Sequence, residues 1–384
     1  MPTSTKCPEV RRRRKRWLLG LMIAAVVAGL AWWLIPRPTG LPVRARLDGS
    51  EGPGAALAFS PDGLILATGH NSGNIQFWDP ATGKHRATLR HFQYVSLRAA
   101  FSPDAKTLAV LSANPPSTVT TITIFKVETG REVARIEVPG SPLIPWIGFS
   151  PDGSALNLIQ WDNSIRSPSP FRFLSWETAT GVAREDRLLP LKQTDVLAFT
   201  KDGRTAAYGD RNAGAVTLRD VASGSEIRSL ATDNPTLAAG AQSLGFSPDG
   251  ATLAVGRTDG DLELWEVATG TLRARLRGHS QGYAPQMVAF GPARDQIISC
   301  GMDWRIPSAP AQFFRYIRGL FRPPGAGRGS DDMPPPEVIT WDLASRRPRV
   351  RLQNEAWLLL SPDGKTLATT GPAGVITLRD VSTD

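Results

Sequence analysis

Phe59-Ser60-Pro61-Asp62-Gly63 decides how the rest of this chain is read, because the chain repeats it. Close copies start at Phe101, Phe149, Phe199, Phe246, Phe290 and Leu360, at intervals of 42, 48, 50, 47, 44 and 70 residues. Each copy sits inside the same local grammar. An apolar run precedes it, as in Ala55-Ala56-Leu57-Ala58. Proline and glycine then suit the second and last positions of a tight turn, and a second apolar run, Leu64-Ile65-Leu66-Ala67, follows. A third run ends on Phe77-Trp78, the turn Asp79-Pro80-Ala81-Thr82-Gly83 comes next, and His85-Arg86-Ala87-Thr88-Leu89 alternates. Four short strands joined by tight turns predict an antiparallel meander in every unit.

Most of the intervals lie close to the period of about 40–45 residues that one four-stranded propeller blade occupies. The fold expected is all-β: a seven-bladed β-propeller of four-stranded antiparallel blades over residues 43–384. The third-strand ending recurs too, as Trp78-Asp79, Lys126-Val127-Glu128, Trp176-Glu177, Arg219-Asp220, Trp265-Glu266, Trp341-Asp342 and Arg379-Asp380. The last unit reaches Asp384 without a fourth strand. One unassigned copy of that strand, Val43-Arg44-Ala45-Arg46-Leu47, stands just before the first unit. Residues 43–47 are therefore expected to complete the seventh blade and close the ring, which leaves no long unpaired edge.

The paired signatures resemble the WD40-repeat (WD-repeat) β-propeller family, with the Ser-Pro-Asp-Gly type of repeat found in bacterial WD40-like proteins. That resemblance implies a platform for protein partners. It also implies a buried hydrogen-bonding tetrad in the sixth blade, made of His279, Ser299, Asp303 and Trp341, with a stabilising role.

Upstream of the repeats the chain has another character. Net charge is +9, of which residues 1–16 carry +6 and the remaining chain only +3. The basic excess is thus a short tail rather than a face of the folded part, which argues against nucleic acid as a partner. Trp17 to Ile35 follow, nineteen residues without a charge, long enough as a helix to span about 28 Å and so to cross a bilayer. Trp17 and Trp32-Trp33 stand at the two ends, where amphipathic rings favour the membrane interface. The reading is a basic cytoplasmic tail (1–16), a single transmembrane helix (17–35), a linker (36–42) and an extracytoplasmic propeller, periplasmic if the source is bacterial. A cleaved signal peptide is the competing reading; its apolar core usually runs about 7–15 residues, shorter than this one.

Candidate chemistry is sparse. Cys7 and Cys300 form neither a disulfide framework nor a metal spacing. The repeated aspartates Asp62, Asp104, Asp152, Asp202, Asp249 and Asp363 are read as turn-holding residues, because such side chains bond nearby backbone. His70, His85, His91 and His279 share no ligand spacing. No cofactor, metal or catalytic residue is expected. A site assembled from separate blades in the central channel stays open, with His70, Asp210, Asp259 and Asp303 near second-to-third-strand turns. The leading function is a membrane-anchored protein–protein interaction scaffold without catalysis. The alternative is a propeller hydrolase or ligand sensor with a channel site.

The 70-residue interval holds an insertion in blade six, residues 304–337. Its first part places Phe313, Phe314, Tyr316, Ile317, Leu320 and Phe321 on an approximate helical stripe and Arg315, Arg318 and Arg322 opposite. Three roles compete for it: a cap on its own propeller, a receiver for a protein partner, or a basic amphipathic helix on a membrane surface.

Overall fold

The computed structural model describes residues 40–47, 54–70, 73–89, 95–113, 119–139, 146–161, 171–189, 196–209, 214–231, 239–279, 283–291, 296–303, 336–371 and 375–381. Within residues 41–384 these form seven four-stranded antiparallel sheets. The chain enters through β1 (Val43–Leu47). Blade 1 is β2 (Gly54–Phe59), β3 (Leu66–His70), β4 (Ile75–Trp78) and β5 (His85–Leu89). Blade 2 is β6 (Val95–Phe101), β7 (Thr107–Ala113), β8 (Val119–Lys126) and β9 (Glu132–Pro139), and blade 3 is β10 (Trp146–Phe149), β11 (Ala155–Trp161), β12 (Phe171–Glu177) and β13 (Ala183–Leu188). Blade 4 is β14 (Val196–Phe199), β15 (Thr205–Gly209), β16 (Val216–Asp220) and β17 (Glu226–Leu230), and blade 5 is β18 (Ala241–Phe246), β19 (Thr252–Arg257), β20 (Leu262–Glu266) and β21 (Leu272–Leu276). Blade 6 is β22 (Tyr283–Phe290), β23 (Gln296–Asp303), β24 (Glu337–Asp342) and β25 (Arg347–Gln353). Blade 7 is β26 (Ala356–Leu360), β27 (Thr366–Thr370) and β28 (Ile376–Asp380), and its fourth strand is β1.

The signature builds the first hairpin of each blade. Ser60 N donates to Ile65 O at 2.8 Å and Gly63 N to Ser60 O at 2.8 Å. Gly63 sits at φ 72°, where a side chain costs about 1–2 kcal/mol. The second hairpin repeats the device, with Gly83 at φ 69° after Asp79. In blade 6 the corresponding turn has Arg346 at φ 56° instead of glycine, so that turn is locally strained.

Middle strands are enclosed on both faces, and β19 and β27 are buried at every position. This is why β19 carries the unbroken run Leu253-Ala254-Val255 rather than an alternation, and why the threonines of β27 are enclosed too. β9, an outer strand, alternates over its second half, because one face packs inward and the other meets solvent. The core is divided among the seams. One buried cluster joins Ala67, Ile75 and Phe77 of blade 1 to Leu108, Val110 and Phe125 of blade 2, and similar clusters join each later pair of blades. The seam between blades 7 and 1 is filled by Leu47, Leu66, Trp78, Ala368, Ile376 and Leu378.

β1 closes the ring. It pairs antiparallel with β28, Leu47 opposite Ile376 and Val43 opposite Arg379, with a bulge between Val43 and Ala45. Asp380 N donates to Pro42 O at 2.9 Å. Arg44 ion-pairs with Asp380, donates to Thr366 Oγ1 at 2.8 Å, and reaches Pro80 O of blade 1 at 3.2 Å. Hairpin turns between first and second and between third and fourth strands share one face, the turn face. Second-to-third-strand loops and the connections between blades share the other, the loop face. Because Val43 lies beside Arg379, the chain enters the propeller on the turn face.

The transmembrane segment expected at 17–35 lies outside the described residues, and no helix among the described residues is long and apolar enough to cross a membrane. Of the 304–337 insertion only Pro336 and Glu337 are described.

Candidate functional site

The repeated carboxylates are engaged in their own turns. Ser60 Oγ donates to Asp62 at 2.5 Å, Ser102 to Asp104 at 2.6 Å, Ser150 to Asp152 at 2.5 Å and Thr200 to Asp202 at 2.6 Å. Ser247 and Ser361 do the same for Asp249 and Asp363. A backbone N–H two residues on adds a second bond, as Leu64 N does to Asp62 at 3.0 Å. Charge-assisted bonds of this kind favour the ionised form. The Ser150 hydroxyl and the Ser154 N–H hold Asp152 down to about 2, and hydroxyl donation likewise lowers Asp104 and Asp202. Carboxylates after the third strand behave similarly: Asp79 accepts from Arg86 at 3.0 Å and from the Ala81 and Thr82 N–H groups.

In blade 6, His279 Nε2 lies 2.7 Å from Ser299 Oγ, and Trp341 Nε1 donates to the same oxygen at 2.8 Å. His279 Nδ1 meets Glu337 Oε1 at 3.0 Å, with both side chains fully enclosed. Arg351 bonds Glu337 and the Gly278 carbonyl. The acid on the histidine is thus Glu337, at the start of β24, a residue that the sequence reading did not single out. Asp303 ends β23 with its backbone opposite Tyr283, and its side chain lies outside the described residues.

The slot taken by Trp341 is filled differently around the ring. In blade 1, Trp78 Nε1 donates to Thr68 Oγ1 at 2.8 Å. In blade 4, Arg219 bonds Tyr208 Oη and stacks over that ring at 5.5 Å. In blade 7, Arg379 bonds Glu355 at 2.7 Å and Leu41 O at 3.1 Å. In blade 5, Trp265 Nε1 donates to Glu263 at 3.1 Å. Glu263 also pairs with Arg257 at 2.7 Å and with Arg275; the side chains of Arg257 and Glu263 are 2% and 0% exposed. Arg257 further donates to Gly214 O and Ala239 O. A carboxylate buried this deeply persists only with its charge matched.

Of the four channel candidates only Asp259 has a described side chain. His70 ends β3, its backbone opposite Gly54, and its side chain is outside the described residues, as is Asp210. Asp259 lies exposed in the short β19–β20 turn, where it accepts from Asp261 N at 3.1 Å. Among the described residues, no group of three or more His, Cys, Asp or Glu could hold a metal. The stripe from Phe313 to Arg322 lies outside them.

A groove of about 550 Å³ opens between the hairpin turns of blades 2 and 3, lined by residues that include Asp104, Lys126, Asp152, Glu177 and Arg184. Asp152 and Glu177 are already bonded to Ser150 and Thr180, so it offers weak directional chemistry.

Comparison with known proteins gives one family match: residues 45–79 fit the family described as WD domain, G-beta repeat. The match begins in β1 and ends just after β4, so the sequence repeat is offset from the blade by one strand and bridges blades 7 and 1. No curated protein matches the chain.

Proposed function

The chain is a WD40-repeat propeller, and on that premise we propose that it is a protein-binding platform held at a membrane by residues 17–35 and that it catalyses no reaction. The observation that carries this reading is the fate of the repeated carboxylates, each consumed by a hydroxyl of its own turn. They are occupied in making blades, and the one His–carboxylate pair described above, His279 with Glu337, is fully enclosed inside blade 6. Function in such a fold lies in what is grafted onto it.

The apolar run and its basic flank supply the anchor in this reading, and the chain enters the propeller on the turn face, at Val43. The insertion joins the propeller on the loop face, where β23 ends and β24 begins. The basic and aromatic stripe Phe313–Arg322 supports the insertion as a partner-binding element.

A pull-down from detergent-solubilised membranes tests this, comparing the intact chain with one lacking residues 305–336 and with a reporter fused after Asp384. Partners captured by the intact chain and lost with the deletion, together with reporter activity outside the cytoplasm, are the expected result. Identical capture by both chains removes the insertion from the proposal, and a reporter active in the cytoplasm overturns the membrane topology.

A further inference from the structure

Neighbouring blades approach one another through their first strands, which surround the central channel. Those seven strands read GAALAF, VSLRAAF, WIGF, VLAF, AQSLGF, YAPQMVAF and AWLLL. They carry one charged side chain in total, Arg98 on β6.

Two observations set Arg98 apart from the other arginines. Its side chain reaches solvent, yet protein surrounds the guanidinium closely enough that desolvation lowers its pKa. An arginine on the outer rim would be wet and uncrowded, and one in the core would be dry. Wet and crowded together describe a narrow aqueous passage. Among the described residues no hydrogen bond or ion pair holds Arg98, whereas the enclosed cations Arg257, Arg275 and Arg379 all meet carboxylates. An arginine stays charged in proteins, and a partly desolvated charge without a counter-charge is costly.

The wall opposite is polar at the same level. Blade 2 faces the seam between blades 5 and 6 across a seven-membered ring. At that seam Gln242 Nε2 donates to Gln286 Oε1 at 2.9 Å. Both glutamines are bulge residues, set between Ala241 and Ser243 on β18 and between Pro285 and Met287 on β22. The bulge in β6 falls between Ser96 and Arg98, so Arg98 and the amide pair lie within one residue of the same depth. The bond between the glutamines uses one amide donor and one carbonyl, and leaves the Gln286 amide group able to donate.

We propose that the central channel is a binding site for a carboxylate, with Arg98 as its fixed charge and the Gln242–Gln286 pair as the facing polar wall. One guanidinium supplies two parallel donors, which match the two oxygens of a carboxylate. Phosphate sites are usually built from several converging backbone N–H groups, and none converge here among the described residues. The carboxylate can belong to a small free acid or to an acidic side chain of a peptide entering the channel.

Calorimetric titration of the full chain in detergent tests this, with succinate and with an end-blocked glutamate tripeptide as probes and inorganic phosphate as the control. Saturable binding of either carboxylate probe, weakened about tenfold or more in Arg98→Gln as expected for loss of a charge-assisted pair, supports the site. Which probe binds identifies the source. Binding that is unchanged in Arg98→Gln, stronger binding of phosphate than of both carboxylates, or no saturable binding of either carboxylate overturns it. A second variant reads the same idea without ligand: Arg98→Met removes an uncompensated cation, so its melting temperature should equal or exceed that of the parent. A fall in that temperature would show that Arg98 holds the blades together and would also overturn the proposal.

Discussion

Truncating Leu47 to alanine should unfasten the ring far more than truncating its strand neighbour Val43. Both lie on β1 and both belong to the ladder with β28. Leu47 is 5% exposed and packs between blades 7 and 1, whereas Val43 is 46% exposed. Removing a buried leucine side chain costs about 2–5 kcal/mol, through lost transfer energy and the cavity left behind. Leu66, Trp78, Ala368, Ile376 and Leu378 come from two blades, and none can close the gap without moving its own sheet, so the upper half of that range is expected. A surface truncation away from packing usually stays within about 0.5 kcal/mol. Urea unfolding of the full chain, followed by tryptophan fluorescence, separates the two. With a denaturant slope of about 3 kcal/mol/M, Leu47→Ala lowers the midpoint by about 1.2–1.7 M and Val43→Ala by under about 0.2 M. Equal midpoints for the two variants would mean that β1 contributes a ladder but no seam, and the account of closure would fail.

Three further outcomes follow from the same structure. Gly83→Ala should destabilise by at least about 1–2 kcal/mol, because Gly83 lies at φ 69° and an added Cβ would stand 2.3 Å from Ala45 Cβ of β1; an unchanged midpoint would contradict that contact. Glu263→Gln should cost about 3–5 kcal/mol by stranding the buried Arg257, while Arg257→Met with Glu263→Leu should cost less than the single change; a double variant no more stable than the single one refutes the charge argument. The turn carboxylates should make stability fall in acid. Asp152 has a folded-state pKa of about 2, below its usual 3.8, so its contribution is complete above that usual value and is lost as pH falls toward about 2. Thermal melts at pH 7, 4 and 2.5 should show Asp152→Asn losing less than the parent across the acid step, and parallel losses would remove this carboxylate from the account.

The fold was legible because its turns are chemical. Ser60, Asp62 and Gly63 each perform a short-range task, and short-range tasks leave a fixed spacing in sequence. The closing strand was legible as an orphan copy of a known pattern. What stayed hidden depends on register between strands. Glu263 reads as an ordinary polar residue in Leu262-Glu263-Leu264-Trp265 until β19 brings Arg257 against it. Glu337 reads as the end of the insertion until His279, 58 residues earlier, meets it. Arg219 and Arg379 were visible as departures from tryptophan, but their partners Tyr208 and Glu355 were not. Arg98 did leave a trace, as the single charge in any of the apolar runs before the signature. Its meaning needed the ring, since only closure turns seven first strands into one wall.

The antiparallel pairing of β1 with β28 also sets how the molecule carries load. Strands run between the turn face and the loop face, and the upstream chain leaves Val43 on the turn face. A pull on that chain therefore acts along the strand rather than across it. The bonds of the ladder are loaded together, in shear, instead of being opened one at a time as in a zipper. Leu47, at the far end, resists sliding by its packing, and the Arg44–Asp380 pair resists it near the point of entry.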